Sequence, residues 1–273
     1  MLVLGDSFAH GIGVQDDETM PSMLARGLAA RGLPARVLNG GVPGYSPADA
    51  RCKLQRLRRA LTPDAIVLVL SFNDAFSPGV SCEGADVSPP AAEPAPLRAR
   101  VHAAARDFAL GHSHLGVLLA YRVNALLIRT GLRPRFSATA SAYDPRTYRD
   151  GRDLVTNTVS VLGRLLADSG APVVLVYVPG FLEADDAAWA AAQRLEGSRL
   201  SRSLAREQVL RAARAAGVLH VVAPAADASG RTGMQTLYFP LDMHLTPRGN
   251  ADVAELAVEA LVPILNARAR SPQ

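Results

Sequence analysis

Short unbroken apolar runs alternate with helix-spaced apolar stripes through most of this chain, and the runs end in small or polar residues. Met1-Leu2-Val3-Leu4 opens it and stops at Gly5. An apolar run bounded by glycine predicts a strand buried on both faces, the usual condition in a parallel sheet. Further runs predict strands at 35–39, 65–70, 172–179 and 218–222. Between them, apolar residues three and four apart, such as Met20, Met23, Leu24 and Leu28, predict helices. These cover 20–32, 47–61, 154–167, 184–216 with a break near Gly197, and 247–267. Pro21 and Pro47 suit first helical turns and Gly32 a stop. Strand–helix alternation of this kind predicts an α/β fold: a doubly wound, five-stranded parallel sheet with helices on both faces.

The alternation is interrupted from about residue 75 to 150. Residues 77–96 are rich in Pro, Ala, Ser and acidic side chains and predict an extended surface loop. Residues 97–132 predict one or two helices around Leu115, Leu118, Leu119, Leu126 and Leu127, whose leucines are expected to pack in a core. Residues 133–150 read as irregular. The span is expected to be a helical and loop insertion after the third strand, near the mouth of a site, within a single domain covering 1–273.

Composition narrows the function classes. The chain of 273 residues is 49% hydrophobic and 20% charged, enough for a sizeable core and unlike a disordered chain. Its formal charge of +4 comes from arginines scattered along helices, with no dense basic block, so nucleic acid is not an expected partner. Cys52 and Cys82 make neither a disulfide framework nor a metal site, and free thiols are expected. The longest apolar segment, 115–128, contains Arg122 and Asn124 and is too short to span a membrane. The first residues already belong to a core strand, so no signal peptide is read. A cytoplasmic location is the default expectation, with export if an upstream segment has been lost.

Candidate chemistry collects at predicted strand ends, where open α/β sheets bind ligands. The first strand delivers Gly5-Asp6-Ser7, the second Gly40-Gly41-Val42-Pro43-Gly44-Tyr45-Ser46, and the third Ser71-Phe72-Asn73-Asp74. On local sequence alone Ser7 reads as a helix cap before it reads as a nucleophile. Asp242-Met243-His244, far along the chain, adds a base and its orienter. A hydroxyl becomes a nucleophile when an imidazole accepts its proton, and a carboxylate holds that imidazole in the right tautomer. Acyl chemistry also needs fixed donors for the developing oxyanion, which the loops at Gly44 and Asn73 can supply. Other polar residues have plainer readings. His10 is expected to be an exposed loop residue, and His102, His112 and His114 to be solvated. Asp74 reads as a structural loop carboxylate and Trp189 as a packing residue. Glu183, Asp185 and Asp186 read as an acidic helix N-terminus.

These blocks, in this order, resemble the SGNH (GDSL-type) hydrolase family. Gly5-Asp6-Ser7 is similar to its first block, with Phe8 in place of leucine, and implies Ser7 as nucleophile. Asn39-Gly40-Gly41-Val42-Pro43-Gly44 is similar to the second and implies Gly44, with Gly41 as the alternative, in the oxyanion hole. Ser71-Phe72-Asn73-Asp74 is similar to the third and implies the Asn73 amide as an oxyanion donor. The run from Asp242 to Asn250 is similar to the last, with His244 as base and Asp242 as its orienter. The resemblance implies the flavodoxin-like sheet of that family and a serine ester hydrolase of short acyl groups on small-molecule or glycan esters. It implies neither a cofactor nor a metal. O-acyl transfer to a sugar or another alcohol through the same residues is the alternative, and a non-catalytic binding module of the same fold a further one. Two departures stand out. Asp242 precedes His244 by two residues where three is common, and Ser71 replaces a glycine, which is expected to narrow the approach to Asn73.

Overall fold

The computed structural model describes residues 1–75, 82, 118, 122–123, 126–127, 130, 137–150, 152–196, 199–223, 237–239 and 242–270. Five parallel strands, β1 (Leu2–Leu4), β2 (Leu38–Asn39), β3 (Ile66–Ser71), β4 (Val173–Val178) and β5 (His220–Val222), form one sheet in the order β2-β1-β3-β4-β5. The register sets Leu2 against Leu38 and Ile66, Ile66 against Val173, and Val174 against His220. The chain reverses its direction of travel across the sheet between β1 and β3. That topological switch point is where ligand crevices form in doubly wound sheets.

Successive strand residues point to opposite faces, so continuous apolar runs feed two cores. Leu2, Leu4, Ile66, Leu68, Leu70, Leu175 and Tyr177 pack with α3 (Pro47–Leu57), α5 (Arg152–Ser169) and α8 (Leu204–Ala215). Val3, Val67, Val69, Val174, Val176 and Val178 pack with α2 (Met20–Ala30) and α9 (Pro247–Arg270). Three short helices complete this part of the chain: α1 (Ser7–His10), α4 (Pro145–Asp150) and α6 (Phe181–Ala184). The remaining helix, α7 (Asp186–Glu196), packs on the α2–α9 side through Ala188 and Ala192.

Several expectations are corrected. The second strand is only two residues long, because at the sheet edge it pairs with β1 alone. Residues 133–150 are not irregular throughout. A 3-10 helix occupies Ser137–Tyr143 and α4 follows it. Asp144 starts α4 by accepting the Arg146 N–H at 2.9 Å, with Pro145 in the first turn. Neither cysteine is a free thiol: both Cys52 and Cys82 are disulfide-bonded. Pairing depends on how close folding brings two Cα atoms, which sequence spacing does not fix.

Contacts divide the chain into two compact units, Met1–Val80 with Phe136–Gln273, and Ser81–Arg135. In the second unit Leu118, Val123 and Leu126 are helical and exposed, so Leu118 and Leu126 do not pack as expected. Leu127 is helical and half-buried, and apart from it and a few single positions the rest of the 76–136 reading, including His102, His112 and His114, lies outside the described residues. Among the described residues no helix is long and apolar enough to cross a membrane.

Candidate active site

β1 ends at Leu4 because Gly5 leaves the strand with φ 150°, in a region open to glycine. A Cβ at Gly5 would also lie 2.6 Å from the Val69 carbonyl oxygen. This close approach lays Gly5-Asp6-Ser7 along the upper half of β3. Asp6 then starts α1, accepting the Phe8 N–H at 2.9 Å, and Ser7 becomes its first residue. The aspartate is the cap, which leaves the neighbouring serine hydroxyl uncommitted. It makes no hydrogen bond to a described residue, His244 included.

The loop after β2 is stitched to this turn. Gly40 N–H donates to the Val3 carbonyl at 2.7 Å, and Val42 N–H to the Gly5 carbonyl at 3.1 Å. Asn39 bridges, its amide donating to the His10 carbonyl while its Oδ1 accepts from Gly41 N–H. Gly41 therefore has its N–H engaged. Gly44, exposed, with φ 80° and open space around it, has no acceptor for its N–H among the described residues. Of the two glycines, Gly44 is the one with a donor to spare.

From the end of β3, Asn73 reaches an exposed position while Ser71 and Asp74 are buried. Ser71 N–H donates to Asp74 Oδ2 at 2.6 Å, and Ser71 Oγ donates to Asn73 Oδ1 at 2.5 Å. Asp74 is thus a structural carboxylate that ties the turn. Ser71 lies underneath Asn73, fully buried, and does not narrow the approach to it. Burial pushes the Asp74 carboxyl well above its ordinary range, and nearby Asp6 pushes it further. Burial raises Asp6 too, against the lowering effects of the Phe8 N–H and of the His244 charge.

His244 arrives from the other end of the chain. Residues 237–239 pair with residues 244–246 through an antiparallel bridge between Tyr238 and Leu245, with Phe239 N–H donating to the His244 carbonyl at 3.0 Å. The Tyr238 hydroxyl anchors this turn to the Pro179 carbonyl beyond β4, at 2.5 Å. The Asn250 amide holds its far side through the Leu245 and Thr246 carbonyls. Asp242 Oδ1 accepts the His244 main-chain N–H at 2.9 Å and pairs with Nδ1 at 2.5 Å. A donating Nδ1–H leaves Nε2 as the free basic atom. The His244 ring lies 5.5 Å, centroid to centroid, from the ring of Phe8, the residue after Ser7. This ring contact places the imidazole beside the serine's turn.

His10 is exposed at the end of α1, its Nδ1 3.4 Å from the Gly41 carbonyl oxygen. Trp189 packs edge-on against Tyr143 and beneath Arg202. Of the three acidic residues, Asp185 starts α7 by accepting the Ala188 N–H and Asp186 follows it. Glu183 lies in the first turn of α6, as expected of an acidic helix start, and accepts the Gly180 N–H at 3.3 Å. It is buried, accepting from the hydroxyls of Tyr177 at 2.5 Å and Tyr143 at 3.2 Å. Sequence spacing carried no sign of these tyrosine partners, which come from separate elements. Among the described residues no cluster of His, Cys, Asp and Glu could hold a metal.

The chain is similar to several known proteins. An arylesterase of Vibrio mimicus is 32% identical over 74 residues, which span 27% of this chain and 37% of that protein. The matched part is therefore little more than a third of its length. The crystal structure of TesA superposes with a TM-score of 0.50 at 17% identity, covering 96% of this chain and 98% of that one. The psychrotrophic esterase EstA from Pseudoalteromonas sp. gives 0.50 at 14% identity, covering 97% of each. At these identities the two structures share a fold with this protein. The sequence profile of the GDSL-like Lipase/Acylhydrolase family matches residues 3–251, nearly the whole chain, so the protein belongs to that family.

Proposed function

We propose that this protein hydrolyses carboxylic esters through an acyl-enzyme on Ser7. The observation that carries the reading is the Asp242–His244 pair packed against the Ser7 turn, with Nδ1 engaged and Nε2 free. In the proposed reaction Ser7 Oγ attacks the ester carbonyl while His244 Nε2 takes the serine proton. Gly44 N–H, Ser7 N–H and the Asn73 amide hold the oxyanion, and Asp242 stays ionised beside the imidazolium. His244 then gives its proton to the departing alkoxide, leaving acyl-Ser7 and a free alcohol. Water attacks the acyl carbon, losing a proton to Nε2, and that proton returns to Ser7 Oγ as the carboxylic acid leaves. Small acyl groups are the proposed substrates. Among named relatives, the arylesterase of Vibrio mimicus and the esterase EstA point to ester bonds.

Ser7→Ala is expected to lower kcat on p-nitrophenyl acetate by about a thousandfold or more, with unchanged thermal unfolding. A variant that keeps the parent rate overturns the proposal. A panel of p-nitrophenyl esters from acetate to palmitate tests the acyl preference, with kcat/KM expected to fall beyond butyrate.

A further inference from the structure

Ser71 occupies the position where the family pattern has glycine, and it is fully buried at the end of β3. A buried hydroxyl without a partner is costly, and three acceptors lie within its reach. They are Asn73 Oδ1 at 2.5 Å, Asp74 Oδ2 at 3.4 Å and Asp6 Oδ2 at 3.5 Å. One hydrogen serves one of them well, and the Asn73 contact is by far the shortest. The amide oxygen lies against Ser71, which leaves the amide nitrogen turned away from it.

We propose that Ser71 is a positioning residue for the oxyanion donor, its hydroxyl locking the Asn73 amide with Nδ2 presented to substrate. The proposal rests on the reading of Ser7 as nucleophile. This is the sole side-chain hydrogen bond that Asn73 makes to a described residue. Without it an exposed amide has two nearly equivalent orientations, and the flipped one turns an oxygen lone pair toward the developing oxyanion. A donor already aimed at that charge needs no reorganisation when the reaction occurs. The two carboxyls behind Ser71 are matched to this role. Asp6 accepts from Phe8 N–H and Asp74 from Ser71 N–H. Each carboxyl therefore has a main-chain donor of its own, which leaves the serine hydrogen for Asn73. Ser71 thus joins the nucleophile's turn on one side to the oxyanion donor on the other. A glycine at this place has no atom to make either contact.

A double-mutant cycle on the full chain tests this. Ser71→Ala is expected to lower kcat on p-nitrophenyl acetate about tenfold with KM unchanged. In an Asn73→Ala background the same substitution is expected to change kcat by less than about twofold, because its effect runs through the amide. Equal losses in both backgrounds, or no loss in the single variant, overturn the proposal. Ser71→Cys, a weaker donor of similar size, is read in the same way if the alanine variant unfolds early. The Ser7→Ala control separates this from failure of the hydrolysis reading. If that variant stays active, the hydrogen bond is followed without turnover through the side-chain ¹⁵NH₂ signals of Asn73, assigned by their loss in Asn73→Ala. Those signals are expected to move in Ser71→Ala, and signals that stay in place overturn the proposal.

Discussion

Asp242 reaches the imidazole of His244 across an interval of only two residues. Its Oδ1 accepts both the main-chain N–H and the Nδ1 of His244, so the carboxylate folds back over its own turn. This local ring of bonds fixes the imidazole tautomer within a single loop. Asp242→Asn keeps the shape of the side chain but offers an amide nitrogen that competes for the same site and stabilises the wrong tautomer. It is expected to lower kcat by about a hundredfold or more at pH 7, with little change in KM. The Asp242 side chain is half exposed, so water screens part of its charge and the loss should fall short of that for a fully buried orienter. Unchanged kcat in Asp242→Asn would mean that a different group orients His244.

The junction after β4 binds three elements through one buried carboxyl. Glu183, in α6, accepts from Tyr177 of β4, from Tyr143 of the 3-10 helix and from Gly180 N–H. Burial pushes its pKa up to about 7, although all three donors favour the charged form. The folded protein then holds a proton that the unfolded chain releases near 4.5. The stabilising contribution is complete below pH 4.5 and is lost as pH rises through 7. Glu183→Gln keeps an acceptor for the tyrosines and has no proton to lose. Its stability relative to the parent is expected to rise by about 2–3 kcal/mol between pH 4.5 and pH 8, read from urea unfolding at each pH. A constant difference would place the Glu183 proton elsewhere. The same region shows which elements the chain's pattern left hidden. Asp144-Pro145 is a helix-start signal, yet α4 is too short for apolar periodicity to reveal. The 3-10 helix before it carries Ala140, Ala142 and Tyr143 into the core, a burial that no repeat announces.

Across the whole fold, the two ends of the chain meet because α9 lies against α2 on one face of the sheet. Leu24 and Leu28 of α2 share a core with Val253, Val258 and Leu261 of α9. A Cβ at Gly27 would come within 2.8 Å of Val258, so a glycine lets the helices close on each other. The N-terminal end of α9 then carries the His244 turn to the side of the sheet where β1 ends. Leu261→Ala, far from the chemistry, is expected to lower the unfolding free energy by about 2–5 kcal/mol. Urea titration measures this, and kcat per folded molecule is expected to remain at the parent value. A fall in kcat would mean that α9 packing also sets the position of His244.

By itself the sequence determined the strand count, the parallel sheet and the identity of the four loops that carry polar groups. Those features are written in local apolar periodicity and in the glycines and prolines that end each run, which need no distant partner. Tertiary structure alone decided that Gly44 rather than Gly41 has an uncommitted N–H, that Ser71 lies beneath Asn73, and that Glu183 is buried among tyrosines. It also decided that both cysteines are oxidised. Some of these bonds are short in sequence, as between Asn39 and Gly41 or Ser71 and Asn73, and others long, as between Tyr143 and Glu183, but each depends on where a side chain points. Direction and burial, unlike periodicity, exist only once the segments have packed.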